Sequence, residues 1–88
     1  MIEAKFKITY SHGMHARPAT MIVSKATSFE SKMILEYNDV RVPLKSIMGV
    51  MSLAIPQNVN FKITFDGEDE NQAFEAIQRT INDINAMK

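Results

Sequence analysis

The chain of 88 residues contains no cysteine, which excludes a disulfide framework and any thiolate metal site. It also lacks a long apolar run. In the opening MIEAKFKITY, charged residues interrupt every apolar stretch, so the segment reads as neither a secretory signal nor a membrane span. Nothing points to an oxidising compartment, and the cytoplasm is the expected address. No sign of charge is in excess: lysine plus arginine and aspartate plus glutamate both number 10. No overall field therefore steers the molecule toward nucleic acid or anionic lipid, and neither direct nucleic-acid binding nor membrane insertion is expected. Proline and glycine are scarce, three each, and act as local punctuation; no repeat, low-complexity tract or linker appears. What remains is 45% hydrophobic residues, including seven Met and five Phe, enough for one core in a single domain over residues 1–88.

Residues 2–10 alternate, with Ile2, Ala4, Phe6, Ile8 and Tyr10 set against Glu3, Lys5, Lys7 and Thr9. This is the pattern of a half-buried strand, broken by Ser11-His12-Gly13. From Ala16 to about Thr27 the period turns helical, with Ala19, Ile22, Val23 and Ala26 on one stripe. Two β-rich runs, 32–37 and 40–44, flank Asn38-Asp39, a two-residue hairpin turn. Ser46 is placed to cap a short helix over 47–53, ended by Pro56 and Asn58. Residues 59–66 alternate again, and Asp69-x-x-Gln72 matches a capping box opening a last helix with the stripe Ala73, Ile77, Ile81 and Ile84. The order β-α-β-β-α-β-α, with one apolar face per strand and one stripe per helix, predicts an α+β open-faced β-sandwich. In it, three helices cover one face of a four-stranded antiparallel sheet.

Chemistry concentrates in Gly13-Met14-His15-Ala16-Arg17-Pro18. Pro18 suits a first helical turn, where its missing N–H is no loss, and this puts His15 at or next to the N-cap. The unpaired N–H groups of that turn, those of Ala16 and Arg17, then lie beside the imidazole and favour an anion. Arg17 is the telling residue. A cation in a first turn opposes the helix dipole by roughly 0.3–1 kcal/mol unless an anion sits there too. A guanidinium that grips phosphate oxygens supplies the missing reason. Positive surroundings also favour the neutral, nucleophilic ring. The residues together suit a phosphohistidine site in which His15 is a covalent nucleophile. On residue types alone, an ordinary capping histidine and an anion-handling site stay equally open.

Gly-x-His-Ala-Arg-Pro-Ala-Thr (Gly13 to Thr20), followed by Leu44-Lys45-Ser46-Ile47-Met48-Gly49-Val50-Met51-Ser52-Leu53, resembles HPr, the histidine-containing phosphocarrier of the bacterial sugar phosphotransferase system. The resemblance covers the whole chain. It implies a carrier with a covalent phosphohistidine rather than a stand-alone enzyme. His15 receives a phosphoryl group from Enzyme I, charged by phosphoenolpyruvate, and hands it to sugar-specific IIA components. Arg17 helps to hold that group, and Pro18 belongs to the active-site turn. The second motif is similar to the Gram-positive form, in which HPr kinase/phosphorylase modifies Ser46 and the product is corepressor of the catabolite control protein. A phosphate on an N-cap serine adds roughly −1.5 to −2 charge at a helix start, which is physically compatible with regulation. Met48, Met51, Val50 and Leu53 make the short helix unusually apolar. Some of them, Val50 and Leu53 foremost, belong to a core, but so short a helix cannot bury every side. The resemblance implies that the cluster is a docking patch shared by Enzyme I and the kinase, and adaptable methionines suit such a surface.

The sequence departs from the family pattern at three places: His12 replaces a small polar residue, Pro43 replaces a polar one, and Ala54 stands where many relatives have glycine. Two rival functions follow. One is a regulatory paralogue acting through phosphorylated Ser46, similar to the catabolite-repression HPr-like protein, which lacks the active-site histidine. The other is a module that merely captures a small anion. No cofactor and no metal are expected, since His12 and His15 have no third ligand nearby in the sequence.

Overall fold

The computed structural model describes residues 1–87. Along the chain lie β1 (Ile2–Lys7), α1 (Ala16–Ala26), β2 (Lys32–Tyr37), β3 (Val40–Pro43), α2 (Ile47–Ser52), β4 (Asn60–Asp66) and α3 (Glu70–Asn85). The strands form one sheet in the order β1-β4-β2-β3, with every neighbouring pair antiparallel. This is the βαββαβα open-faced sandwich that the patterning predicts.

Because side chains alternate across a strand, β1, β2 and β4 each send one set of residues to the helices. Phe6, Leu35, Ile63 and Phe65 on that side are buried against Ile22 of α1 and Ile77 and Ile84 of α3. Burying an isoleucine such as Ile77 contributes roughly 1.5–3 kcal/mol, so these stripes hold the two layers together. The other face of the sheet is polar. There Lys62 lies 3.7 Å from Glu3 and 3.6 Å from Glu36, and pairs this exposed contribute at most about 1 kcal/mol.

The boundaries differ from the sequence pattern for identifiable reasons. β1 stops at Lys7, not residue 10, because side-chain amides replace the ladder beyond it. Asn85 donates to Lys7 O and accepts from Thr9 N, while Gln57 donates to Thr9 O. Ile8 nevertheless stays fully buried. At the β2–β3 turn, Asn38 and Asp39 both take positive φ, 54° and 65°, the form whose twist matches a hairpin.

The capping box expected at Asp69-x-x-Gln72 does not form. Asp69 precedes the first turn of α3, but its side chain makes no cap hydrogen bond. Its carboxylate accepts instead from Glu30 N, Ser31 N and the Ser31 hydroxyl, tying the α1–β2 loop to the start of α3. These donors, the Ser31 hydroxyl foremost, hold the Asp69 carboxyl below its ordinary value. Three loop donors across the chain outcompete one local N–H. Gly67 allows the close approach, since a Cβ there would meet Ser31 Oγ at 2.6 Å.

Candidate functional site

The loop that carries His15 is positioned by its backbone. Gly13 N–H donates to Tyr10 O at 2.8 Å with φ at +66°, a conformation that suits glycine. A Cβ there would also meet Ile55 O at 2.7 Å. Met14 N–H then donates to Ile55 O at 2.9 Å, and its side chain is buried. The loop is thus fixed to the segment after α2 immediately before His15.

His15 is the N-cap of α1, with extended backbone at φ −118° and ψ −167°. Its Nδ1 accepts from Ala16 N–H at 2.6 Å. In the neutral ring this nitrogen therefore carries the lone pair, and Nε2 carries the proton. The imidazole is exposed, so the unprotonated nitrogen sits at an open helix terminus. Ala16 N–H, expected as a free anion donor, is spent on His15 itself, the nearest acceptor in this unmodified chain. Arg17 N–H has no acceptor among the described residues, and the exposed Arg17 side chain forms no ion pair among them. Pro18 is buried in the first turn.

A shallow cleft of about 320 Å³ opens beside His15, walled by His12, Met14, Met51, Ala54 and Pro56 among others. The sequence pattern singled out Ala54 only as a departure. The structure makes it part of the site wall, with φ at +49° just after α2, where a left-handed residue commonly ends a helix. The family's usual glycine there was the signal available. Ile55 and Pro56 gave no such signal, because their part in the site depends on contacts distant in sequence.

Ser46 is the N-cap of α2, half-buried, and its Oγ accepts from Gly49 N–H at 3.1 Å. Of the apolar cluster, Met48 is 80% exposed and Met51 43%, Leu53 is half-buried, and Val50 is fully buried. Val50 is therefore removed from any docking surface, because its place on the helix turns it into the core. Met51 lines both the cleft beside His15 and an apolar depression formed with Ile47, Met48 and Ser52. No cluster of three or more His, Cys, Asp or Glu suited to a metal occurs among the described residues, and no helix among them is long and apolar enough to cross a membrane.

An open-faced α+β sandwich with a histidine capping its first helix defines a class, and comparison with known proteins narrows it. The family described as PTS HPr component phosphorylation site matches residues 2–83. The structure is similar to HPr-C-His from Thermoanaerobacter tengcongensis, at 35% identity and a TM-score of 0.93, with 100% of this chain and 99% of that one covered. It is similar to the histidine-containing phosphocarrier protein of Mycoplasma, at 36% identity and 0.91, with 99% of each chain covered. It also resembles Crh, the catabolite repression protein of Bacillus subtilis, at 33% identity and 0.74 over 100% of both chains. The chain belongs to the HPr family of the phosphotransferase system.

Proposed function

We propose that this chain is a cytoplasmic phosphocarrier, taking a phosphoryl group on His15 Nδ1 from phosphorylated Enzyme I and passing it to IIA components of sugar permeases. One observation carries the reading: the nitrogen that accepts from Ala16 N–H, and so holds the lone pair, lies at the start of α1, in the same turn as an arginine that forms no ion pair among the described residues. That lone pair attacks phosphorus, a new P–N bond forms, and the donor's bond to phosphorus breaks with its electron pair leaving on the donor. Nε2 keeps its proton. Once Nδ1 is bonded to phosphorus it no longer accepts, and Ala16 N–H is released to a phosphoryl oxygen. Arg17 N–H and the Arg17 guanidinium add donors and positive charge where charge accumulates. Passing the group on reverses these steps.

The exposed methionines Met48 and Met51, with Leu53 at their margin, are the docking patch for Enzyme I and the other partners. Phosphorylation of Ser46 by HPr kinase/phosphorylase regulates the carrier and equips it to bind the catabolite control protein. The likeness to Crh supports a second reading, a regulatory paralogue working mainly through Ser46. The presence of His15 favours the carrier.

Incubation with phosphoenolpyruvate and Enzyme I is expected to add one acid-labile phosphate, detected by mass, and the His15→Ala chain is expected to take none. Arg17→Ala should slow transfer roughly tenfold, the size of one charge-assisted contact. An unmodified mass for the parent chain would reject the carrier function and leave the regulatory reading.

A further inference from the structure

His12 is the residue of the site that the family pattern leaves unexplained, and the structure gives it a defined position. Its ring has two ring neighbours. The Tyr10 ring centroid is 5.5 Å away, and the His15 ring centroid is 5.6 Å away at an interplanar angle of 90°. The Ser11 hydroxyl lies 3.1 Å from His12 Nδ1. A hydroxyl both donates and accepts, so Ser11 can serve the neutral ring in either tautomer and the protonated ring as acceptor. In the protonated ring Nε2 carries a hydrogen, and this nitrogen has no hydrogen-bond partner among the described residues. Tyr10 presents an aromatic neighbour that tolerates a cation.

We propose that His12 is a second, titratable phosphoryl-binding side chain, whose cationic form stabilises the phosphoryl group on His15 and makes its retention dependent on pH. The inference rests on the carrier reading of His15. With His15 unmodified, no carboxylate among the described residues lines the cleft to balance a charge on His12. A phosphoryl group on His15 brings a dianion to the same cleft, and the nearest imidazole becomes its counter-charge. Other groups do not obscure this coupling. Tyr10 and His15 are the titratable groups against the His12 ring, the residues that the 51–56 segment brings to the cleft are uncharged, and Arg17, which also serves the phosphoryl group, is common to all the chains compared. The contribution is present where the His12 ring is charged, toward acid, and fades as the ring loses its proton.

The test compares the phosphorylation equilibrium with Enzyme I and phosphoenolpyruvate for the parent chain, His12→Ser and His12→Arg between pH 5.5 and 8.5. Taking ratios to His12→Ser at each pH removes the pH dependence common to both chains and leaves what His12 adds. The parent-to-serine ratio is expected to be roughly three- to fivefold at the acid end, the size of an exposed charge pair, and to fall to one at the alkaline end. His12→Arg, charged throughout, should keep its advantage at every pH. Melting curves check that both variants fold. A ratio of one at all pH values, or a pH-independent ratio for the parent chain, would overturn the inference while leaving His15 a carrier. If the parent chain takes no phosphate at all, the carrier reading fails and this inference falls with it.

Discussion

At the scale of single residues, the site contains one position whose side chain opposes its backbone. Ala54 holds φ at +49°, where a Cβ crowds the following carbonyl at roughly 1–2 kcal/mol. Glycine would relieve that strain but would add about 0.4–1 kcal/mol of freedom to the unfolded chain. Ala54→Gly is therefore expected to stabilise the protein by about 0.5–1 kcal/mol, read from urea denaturation at constant slope. A loss of stability would mean that the alanine methyl contributes packing in the cleft wall. The residues proposed to act could be named from the sequence because the chemistry proposed for them is local. His15, Arg17 and Pro18 are neighbours in sequence and at the same helix start. The use of Ala16 N–H was not legible, since a capping histidine and a helix with free donors look alike until the ring's orientation is known.

Among the elements, the period of the apolar residues located β1, α1, β4 and α3, because one buried face imposes that period whatever the loops do, while β-rich composition marked β2 and β3 and the Ser46 cap marked α2. The ends were less legible. Asn85 and Gln57 terminate β1 from distant parts of the chain, and no local pattern announces such partners. Asp69 shows the same limit. Its spacing to Gln72 obeys the capping-box rule, yet the carboxylate serves the α1–β2 loop. This has a consequence for acid stability. The Asp69 carboxyl titrates lower in the folded chain than in the unfolded one, so its stabilisation is complete above about pH 4, the ordinary aspartate range, and is lost as pH falls through the depressed folded value. Glu70 behaves likewise, held low by the N-terminal ammonium at 2.9 Å and by Gly67 N–H. Asp69→Asn should melt at a lower temperature than the parent at pH 7, and the two should converge as the pH approaches 2. Parallel melting curves across that range would contradict the assignment.

In the whole molecule, Ser46 and the exposed methionines belong to one short helix, so a charge placed on the first alters the surface of the second. Modification with ATP and HPr kinase/phosphorylase should add an acid-stable phosphate and slow the Enzyme I reaction at least severalfold, the dianion standing at the edge of an apolar patch. An unchanged rate would remove Ser46 from control of the carrier. Ser46→Ala should abolish the modification at about 1 kcal/mol of stability, the value of a lost N-cap. Met51 gives this arrangement its sharpest consequence, because it borders both the cleft of His15 and the apolar depression on α2. A macromolecule that reaches the imidazole across this side must lie over Met51, so two such visitors cannot be aboard together. On the proposed carrier function, donor and recipient then have to queue for a single berth. Traffic through the molecule would saturate when either one overstays, and any third protein lingering there would throttle both directions at once without a separate inhibitory site.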